Sequence, residues 1–163
     1  MIIIPQLVII ALSLLLVNAD DEEYCTKLIG KCNEDFTTKC KHRQYNIKNC
    51  CNLKMFSSPT GVYTIRKEHF DTTDVYCDMD TDDGGWIVIQ RNKKDSEQSF
   101  NKNWESYENG FGNLTGEFWY WLKGINCIMQ TGQWEMRVGI QNSDNTWTYL
   151  HYNQFKVGTD SEG

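Results

Sequence analysis

Basic residues are scarce and scattered: 16 lysines and arginines face 22 aspartates and glutamates, for a net charge of −6. Nucleic acid and anionic membranes are gripped by basic patches, and none is visible, so neither is expected as a partner. Histidine is scarcer still. His42, His69 and His151 stand in no nucleophile–base or metal-ligand spacing, and neither G-x-S-x-G nor H-E-x-x-H occurs. Zinc needs paired C-x2-C or an H-x3-5-H, and both are missing. A thiol pair of Cys127 with His151 is the one nucleophilic arrangement to weigh, but Cys127 follows an apolar helical stripe where a core position is expected. No catalysis is expected.

Nucleotide and calcium signatures fail on register. Gly110-Phe111-Gly112 follows no apolar strand and does not continue as G-x-G-x-x-G, so it is no phosphate cradle. Counted from Asp78, the acidic run places Asp83 at the sixth position, where an EF-hand turn needs glycine. It places Ile89 at the twelfth, where a bidentate Glu belongs. An acidic hairpin loop is the expectation. Heptads and Gly-X-Y repeats are absent too, which leaves no coiled coil or collagen stalk.

What is present points to a disulfide-linked domain behind a leader. The chain has 163 residues, 40% hydrophobic and 13% aromatic, enough for one packed domain. Met1 to Val17 is apolar apart from Gln6 and Ser13, and Val17-Asn18-Ala19 precedes the acidic run Asp20-Asp21-Glu22-Glu23. This predicts a signal peptide over residues 1–19 cut after Ala19, and no membrane span once it is removed. The rival reading is an uncleaved anchor, for which the run is short. Cys25, Cys32, Cys40, Cys50, Cys51, Cys77 and Cys127 read as a disulfide framework with one thiol left over. Residues 20–48 are polar and too few for a core of their own. Cys25, Cys32, Cys40 and one of Cys50 and Cys51 are expected to staple them, in a connectivity that sequence does not give. A small cysteine-knotted binding motif is the alternative there.

Farther along, Ser58-Pro59-Thr60-Gly61 is a turn and Val62 to Ile65 a strand, paired with Val75 to Met79 across an Arg66–Asp74 loop. Trp86 to Arg91 is apolar on both faces, a strand buried within the sheet, with Gln90 and Arg91 emerging into water. Trp104 and Tyr107 fall on one face of a short helix ended at Asn109-Gly110 by a left-handed cap. Thr115 is placed to cap a helix from near Glu117, whose stripe is Phe118, Leu122, Ile125 and Met129. Trp134 to Ile140 alternates as a strand, and after a turn at Asn142 to Asn145 the segment Trp147 to Phe155 pairs with it. Trp86, Trp104, Tyr107, Phe111, Phe118, Trp119 and Trp121 are the expected bulky core. Asn113-Leu114-Thr115 is the only glycan acceptor triplet, so Asn113 is the candidate glycosylation site.

Four tokens in order, Tyr76-Cys77-Asp78-Met79, Gly84-Gly85-Trp86, Gly110-Phe111-Gly112-Asn113-Leu114 and Gly116-Glu117-Phe118-Trp119, closely resemble the first half of the fibrinogen C-terminal domain. That module is shared by fibrinogen chains, ficolins, tenascins, angiopoietins and tachylectins. The resemblance covers about residues 49–163 and implies an α+β fold, an antiparallel sheet with short helices, truncated before the ligand-binding subdomain. The family opens on an acidic or amide residue, a cysteine, and Leu or Ile three positions later. Asn49, Cys50 and Leu53 fit, which implies a Cys50–Cys77 disulfide and leaves Cys51 to the amino-terminal segment. Cys127, where the family carries no cysteine, is then an inert buried thiol or an interchain bridge in a disulfide-linked oligomer.

The family's second half carries its Asp-rich calcium loop and its ligand pocket. No Asp-x-Asp-Asn-Asp run occurs here, so no cofactor is expected and no ligand-binding residue is assigned. The resemblance implies a secreted, extracellular, non-enzymatic, lectin-like glycoprotein that recognises carbohydrate or extracellular protein, with innate defence among its roles. The alternative is a truncated or structural fragment of a longer fibrinogen-like protein without binding activity of its own, with open strand edges and an exposed apolar face.

Overall fold

A computed structural model describes residues 11–18, 47–67, 70–93, 97–130 and 132–158. The cysteine-rich stretch with Cys25, Cys32 and Cys40 lies outside them. Eight strands form one sheet in which every pairing is antiparallel: β1 (Ala11–Asn18), β2 (Gly61–Lys67), β3 (Phe70–Asp78), β4 (Trp86–Lys93), β5 (Phe111–Gly112), β6 (Phe118–Trp119), β7 (Trp134–Gln141) and β8 (Trp147–Tyr152). The main order is β2-β3-β4-β1-β7-β8, with β6 beside β4 and β5 beside β6. Among the described residues three short helices complete it: α1 (Cys51–Lys54), α2 (Trp104–Asn109) and α3 (Leu122–Met129). The expected α+β architecture is present.

The strand expected to be buried on both faces is β4, where Trp86, Ile87, Val88 and Ile89 are all 4% exposed or less. Apolar residues at both parities of a strand require cover above and below. That cover comes from Leu53, Ile65, Val75, Phe118, Tyr120, Ile125, Ile128, Met129 and Trp134, in one contiguous core. Truncating Phe118, 2% exposed, to alanine would cost about 3–5 kcal/mol. Gln90 and Arg91 do not reach open water as expected; both are half-buried. Arg91 Nε donates to the Gly116 carbonyl at 2.5 Å and an Nη to that of Leu114 at 2.6 Å, while the guanidinium lies 4.2 Å over the Tyr76 ring. A charge-assisted pair of bonds of this kind makes burial of the stem affordable only while both carbonyls are held in place.

The implied disulfide is formed. Cys50 and Cys77, both fully buried, are joined with Cα atoms 5.5 Å apart and tie the start of α1 to β3. Cys51 is also disulfide-bonded. Cys127 is a half-buried thiol on α3.

Four expectations need correction. The helix from Glu117 does not form: Phe118–Trp119 is extended and pairs with Gln90 and Arg91, Tyr120 N–H donates to the Ile89 carbonyl at 2.8 Å, and the helix starts only at Leu122. Sheet pairing overrides the helical stripe here, and Thr115 caps nothing; its N–H and hydroxyl donate to Asn113 Oδ1 instead. The Arg66–Asp74 loop is replaced by strand, since β2 runs to Lys67 and β3 starts at Phe70. Gly110 has φ 76 and ψ 159, so the end of α2 is not the left-handed cap. Trp104 is 73% exposed and belongs to no core.

One element has no counterpart in the sequence reading. Ala11–Asn18, inside the expected leader, is the strand between β4 and β7. Among the described residues no helix is long and apolar enough to cross a membrane.

Candidate functional site

Strand β8 pairs only with β7, and its other edge is open among the described residues. Its six residues alternate Trp147, Tyr149 and His151 with Thr148, Leu150 and Tyr152, and every one is exposed. On the first face Trp147 and Tyr149 stack at 5.9 Å with their planes 9° apart. They fit because Gly139 lies opposite: a Cβ there would stand 3.1 Å from Tyr149 and 3.3 Å from Trp147. Glycine inside a strand marks close approach by another group, and here the group is an aromatic pair.

Charges line the next positions along the same face. The Arg137 guanidinium lies 3.9 Å over the Tyr149 ring and pairs with Asp82. Asp82 comes from the acidic loop after β3, a 3-10 turn at Thr81–Asp83. Asp78 builds that turn: its carboxylate accepts from Asp80 N–H, Thr81 N–H and the Thr81 hydroxyl at 2.7–3.0 Å. The acidic hairpin loop is therefore held by its own aspartate, with Trp86 Nε1 donating to the Thr81 carbonyl at 2.9 Å. His151 closes the row. It meets Glu135 at 2.8 Å and stands edge-on to Trp86, ring centroids 6.2 Å apart.

The second face is the continuation of the core side. Trp134, on β7, is 2% exposed, yet Leu150 and Tyr152 remain 50% and 46% exposed because no described element covers them. Beside them a recess of about 600 Å³ is lined by Asn126, Met129, Trp134, Phe155 and Val157 among others. Asn126 Nδ2 shapes it by donating to the carbonyls of Val157 and Gly158. Such an array of exposed aromatics, flanking charges and an open ladder edge suits adhesion to an extended or ring-shaped ligand.

Elsewhere, Asn113 sits exposed at the tip of the loop that Arg91 holds from below. Its Oδ1 accepts from the Thr115 hydroxyl at 2.8 Å, so the two polar residues of the acceptor triplet face one another in the open. Tyr120, buried, shares a 2.9 Å hydrogen bond with the Thr73 hydroxyl, and burial pushes its pKa above the usual tyrosine range. His151 is engaged with Glu135 and Cys127 lies on α3, so the thiol–histidine pair gains no support. Among the described residues no three His, Cys, Asp or Glu are grouped to hold a metal ion. Sequence reasoning missed Asp82 with Arg137 and the bare face of β8. Only Gly139, amid strand-forming residues, signalled something closely packed there.

Residues 34–163 match the family described as fibrinogen beta and gamma chains, C-terminal globular domain. Fibrinogen C domain-containing protein 1 of Mus musculus is 44% identical over 99 residues, which are 60% of this chain and 21% of that protein. Fibrinogen-like protein A of Apostichopus parvimensis is 39% identical over 114 residues, 70% of this chain and 39% of its own length. The fibrinogen-like globe domain of human ANGPTL2 superposes with a TM-score of 0.66 at 30% identity, covering 71% of this chain and 54% of that one. The chain thus spans well under half of these curated relatives and about half of the solved domain.

Proposed function

Because the chain belongs to the fibrinogen C-terminal globular domain family, we propose that it is a secreted, non-enzymatic recognition protein binding extracellular glycans or proteins. The supporting observation is β8: Trp147 and Tyr149 are stacked, 41% and 47% exposed, and backed by Arg137. Aromatic faces with a polar rim present apolar area at low entropic cost and stack on sugar rings or peptide side chains. In this reading binding is independent of calcium, because the face is built from stacked aromatic rings and an arginine–aspartate pair rather than from grouped carboxylates. Asn113, exposed at its loop tip, carries a glycan in this reading.

The test is capture on resins bearing acetylated and plain sugars, with calcium or with a chelator. Capture that survives the chelator and is lost in Trp147→Ala and Tyr149→Ala is the expected result. Capture that needs calcium, or that ignores both changes, overturns this reading. A second reading rests on the half-length match to the solved domain together with the bare core side at Leu150 and Tyr152. The chain is then a piece of a longer fibrinogen-like protein whose remaining part covers that face, and it captures nothing by itself.

A further inference from the structure

Two strands share one edge of β4. β3 holds it at Trp86, Ile87 and Val88, β6 holds it at Gln90 and Arg91, and between them Tyr120 N–H donates to the Ile89 carbonyl. Continued in register, β3 would bring Asp74 to Gln90 and Thr73 to Arg91, but Trp119 and Phe118 already occupy those places. β3 therefore parts from β4 beyond the Tyr76↔Val88 pair, and the fork between β3 and β6 opens a recess of about 320 Å³. A hydrogen bond of 2.9 Å between the Tyr120 and Thr73 hydroxyls bridges the fork. The volume is that of a site for a small ligand.

Aromatic rings wall this recess. Phe111, Trp119, Tyr120 and Trp121 line it, and among the described residues Asp74 is its only charged one. The rings are fixed before any ligand arrives. Phe111 and Trp119 each stand edge-on to Tyr107 with centroids 5.2 Å apart, and Trp119 Nε1 donates to the Tyr107 carbonyl. Trp121 lies over Gly124, where a Cβ would overlap its indole, and its ring centroid is 6.3 Å from that of Tyr120. Asp74 is exposed. Its Oδ1 accepts from the Thr64 hydroxyl at 2.6 Å, and its Oδ2 accepts from no described residue. Burial and, more weakly, the Asp74 charge hold the proton on Tyr120, so the carboxylate and the aromatic wall act on one site.

We propose that this recess binds a small quaternary ammonium ligand of the choline type. The faces of aromatic rings attract a cation, and the Asp74 carboxylate supplies the countercharge. A trimethylammonium group carries no N–H, so it lies against rings without leaving a donor unpaired. A lysine-type ammonium is more strongly hydrated and brings three donors to a recess that offers one carboxylate. In the sheet order three strands separate β3 from β8, so this site is distinct from the Trp147–Tyr149 face and does not rest on the reading of that face.

Choline is titrated into the full chain, and binding is read by tryptophan fluorescence and by calorimetry. Saturable binding in the millimolar range is the expected result. Dimethylbutanol, which has choline's shape with carbon in place of the charged nitrogen, should bind about tenfold less tightly. Asp74→Asn keeps an oxygen for the Thr64 hydroxyl while removing the charge, so the fold is retained and choline affinity should fall about fivefold. Trp121→Leu should lower it about tenfold, and where that variant does not fold, Asp74→Asn alone decides. Trp147→Ala, on β8, should leave choline binding unchanged, and phosphocholine should bind no more tightly than choline because its phosphate meets the Asp74 carboxylate. Absence of saturable binding, equal binding of the uncharged analogue, or unchanged affinity in Asp74→Asn or in folded Trp121→Leu overturns the proposal. Loss of binding in Trp147→Ala overturns it too, as does tighter binding of phosphocholine.

Discussion

Gly112→Ala is the sharpest single perturbation of the packing around Phe118. Gly112 has φ 89, and an added Cβ would stand 2.1 Å from the Glu117 carbonyl oxygen and 2.7 Å from the Phe118 Cα. Both are backbone atoms, one in the strand it pairs with and one in the residue just before that strand, so no rotamer change relieves the contact. A non-glycine residue at this φ costs about 1–3 kcal/mol, and forcing the backbone apart adds about 1–3 kcal/mol. The β5–β6 pair must open, and with it the seat of Phe118 and the Trp119 Nε1 bond to the Tyr107 carbonyl at 2.9 Å. A loss of about 3 kcal/mol is expected, a fall in Tm of roughly 10 °C for a domain of this size. Gly116→Ala is the control, because its nearest non-neighbour atoms lie 3.7 and 4.0 Å away, and it should stay within about 0.5 kcal/mol of the parent. Guanidinium unfolding followed by tryptophan fluorescence reads both variants. A Gly112→Ala protein within about 1 kcal/mol of the parent refutes the extended Phe118–Trp119 arrangement.

Arg91→Ala deletes two charge-assisted bonds to the Gly116 and Leu114 carbonyls and should cost about 2–4 kcal/mol in the same assay, with hydrogen exchange of the 113–117 loop accelerated. Replacing Cys50 and Cys77 together by serine releases a closure of 27 residues and should cost about 3.5 kcal/mol on chain entropy alone, read as a lower guanidinium midpoint. Tyr120 sets an alkaline limit: its folded pKa is raised above 10.0 by burial, so the native state keeps a proton that the unfolded chain loses. Stability should be level below pH 10 and fall as pH rises from there through the folded value, less so in Tyr120→Phe; a flat alkaline profile in the parent contradicts its burial.

Local pattern revealed those elements whose partners lie nearby or whose period is strong. Trp86 to Ile89 announced a strand covered on both faces, and Trp134 to Ile140 with Trp147 to Phe155 announced a hairpin; both are present, the second strand of the hairpin ending at Tyr152. Phe118 and Trp119 misled because their helical spacing to Leu122 and Ile125 is satisfied equally by a two-residue strand followed by a later helix. The choice is made by Gln90 and Arg91, distant in sequence. Arg91 looked like a surface residue because the carbonyls that hold it belong to a loop 23 and 25 residues away. Trp104 looked like core because aromatic size says nothing about which face of a six-residue helix is covered. Ala11–Asn18 lies within the stretch read as a leader, and its pairing with residues 87–93 and 134–141 leaves no mark within the segment. The candidate recognition face was the least legible part. Strand composition shows that Trp147, Tyr149, Leu150 and Tyr152 alternate, but exposure depends on what the rest of the chain leaves uncovered.

Peptide mapping under non-reducing conditions bears most directly on the claim that residues 49–163 fold as half of a fibrinogen C-terminal domain stapled at its entry. A fragment joining Cys50 to Cys77 is the expected result. Cys77 recovered as a thiol, or joined to any cysteine other than Cys50, contradicts it.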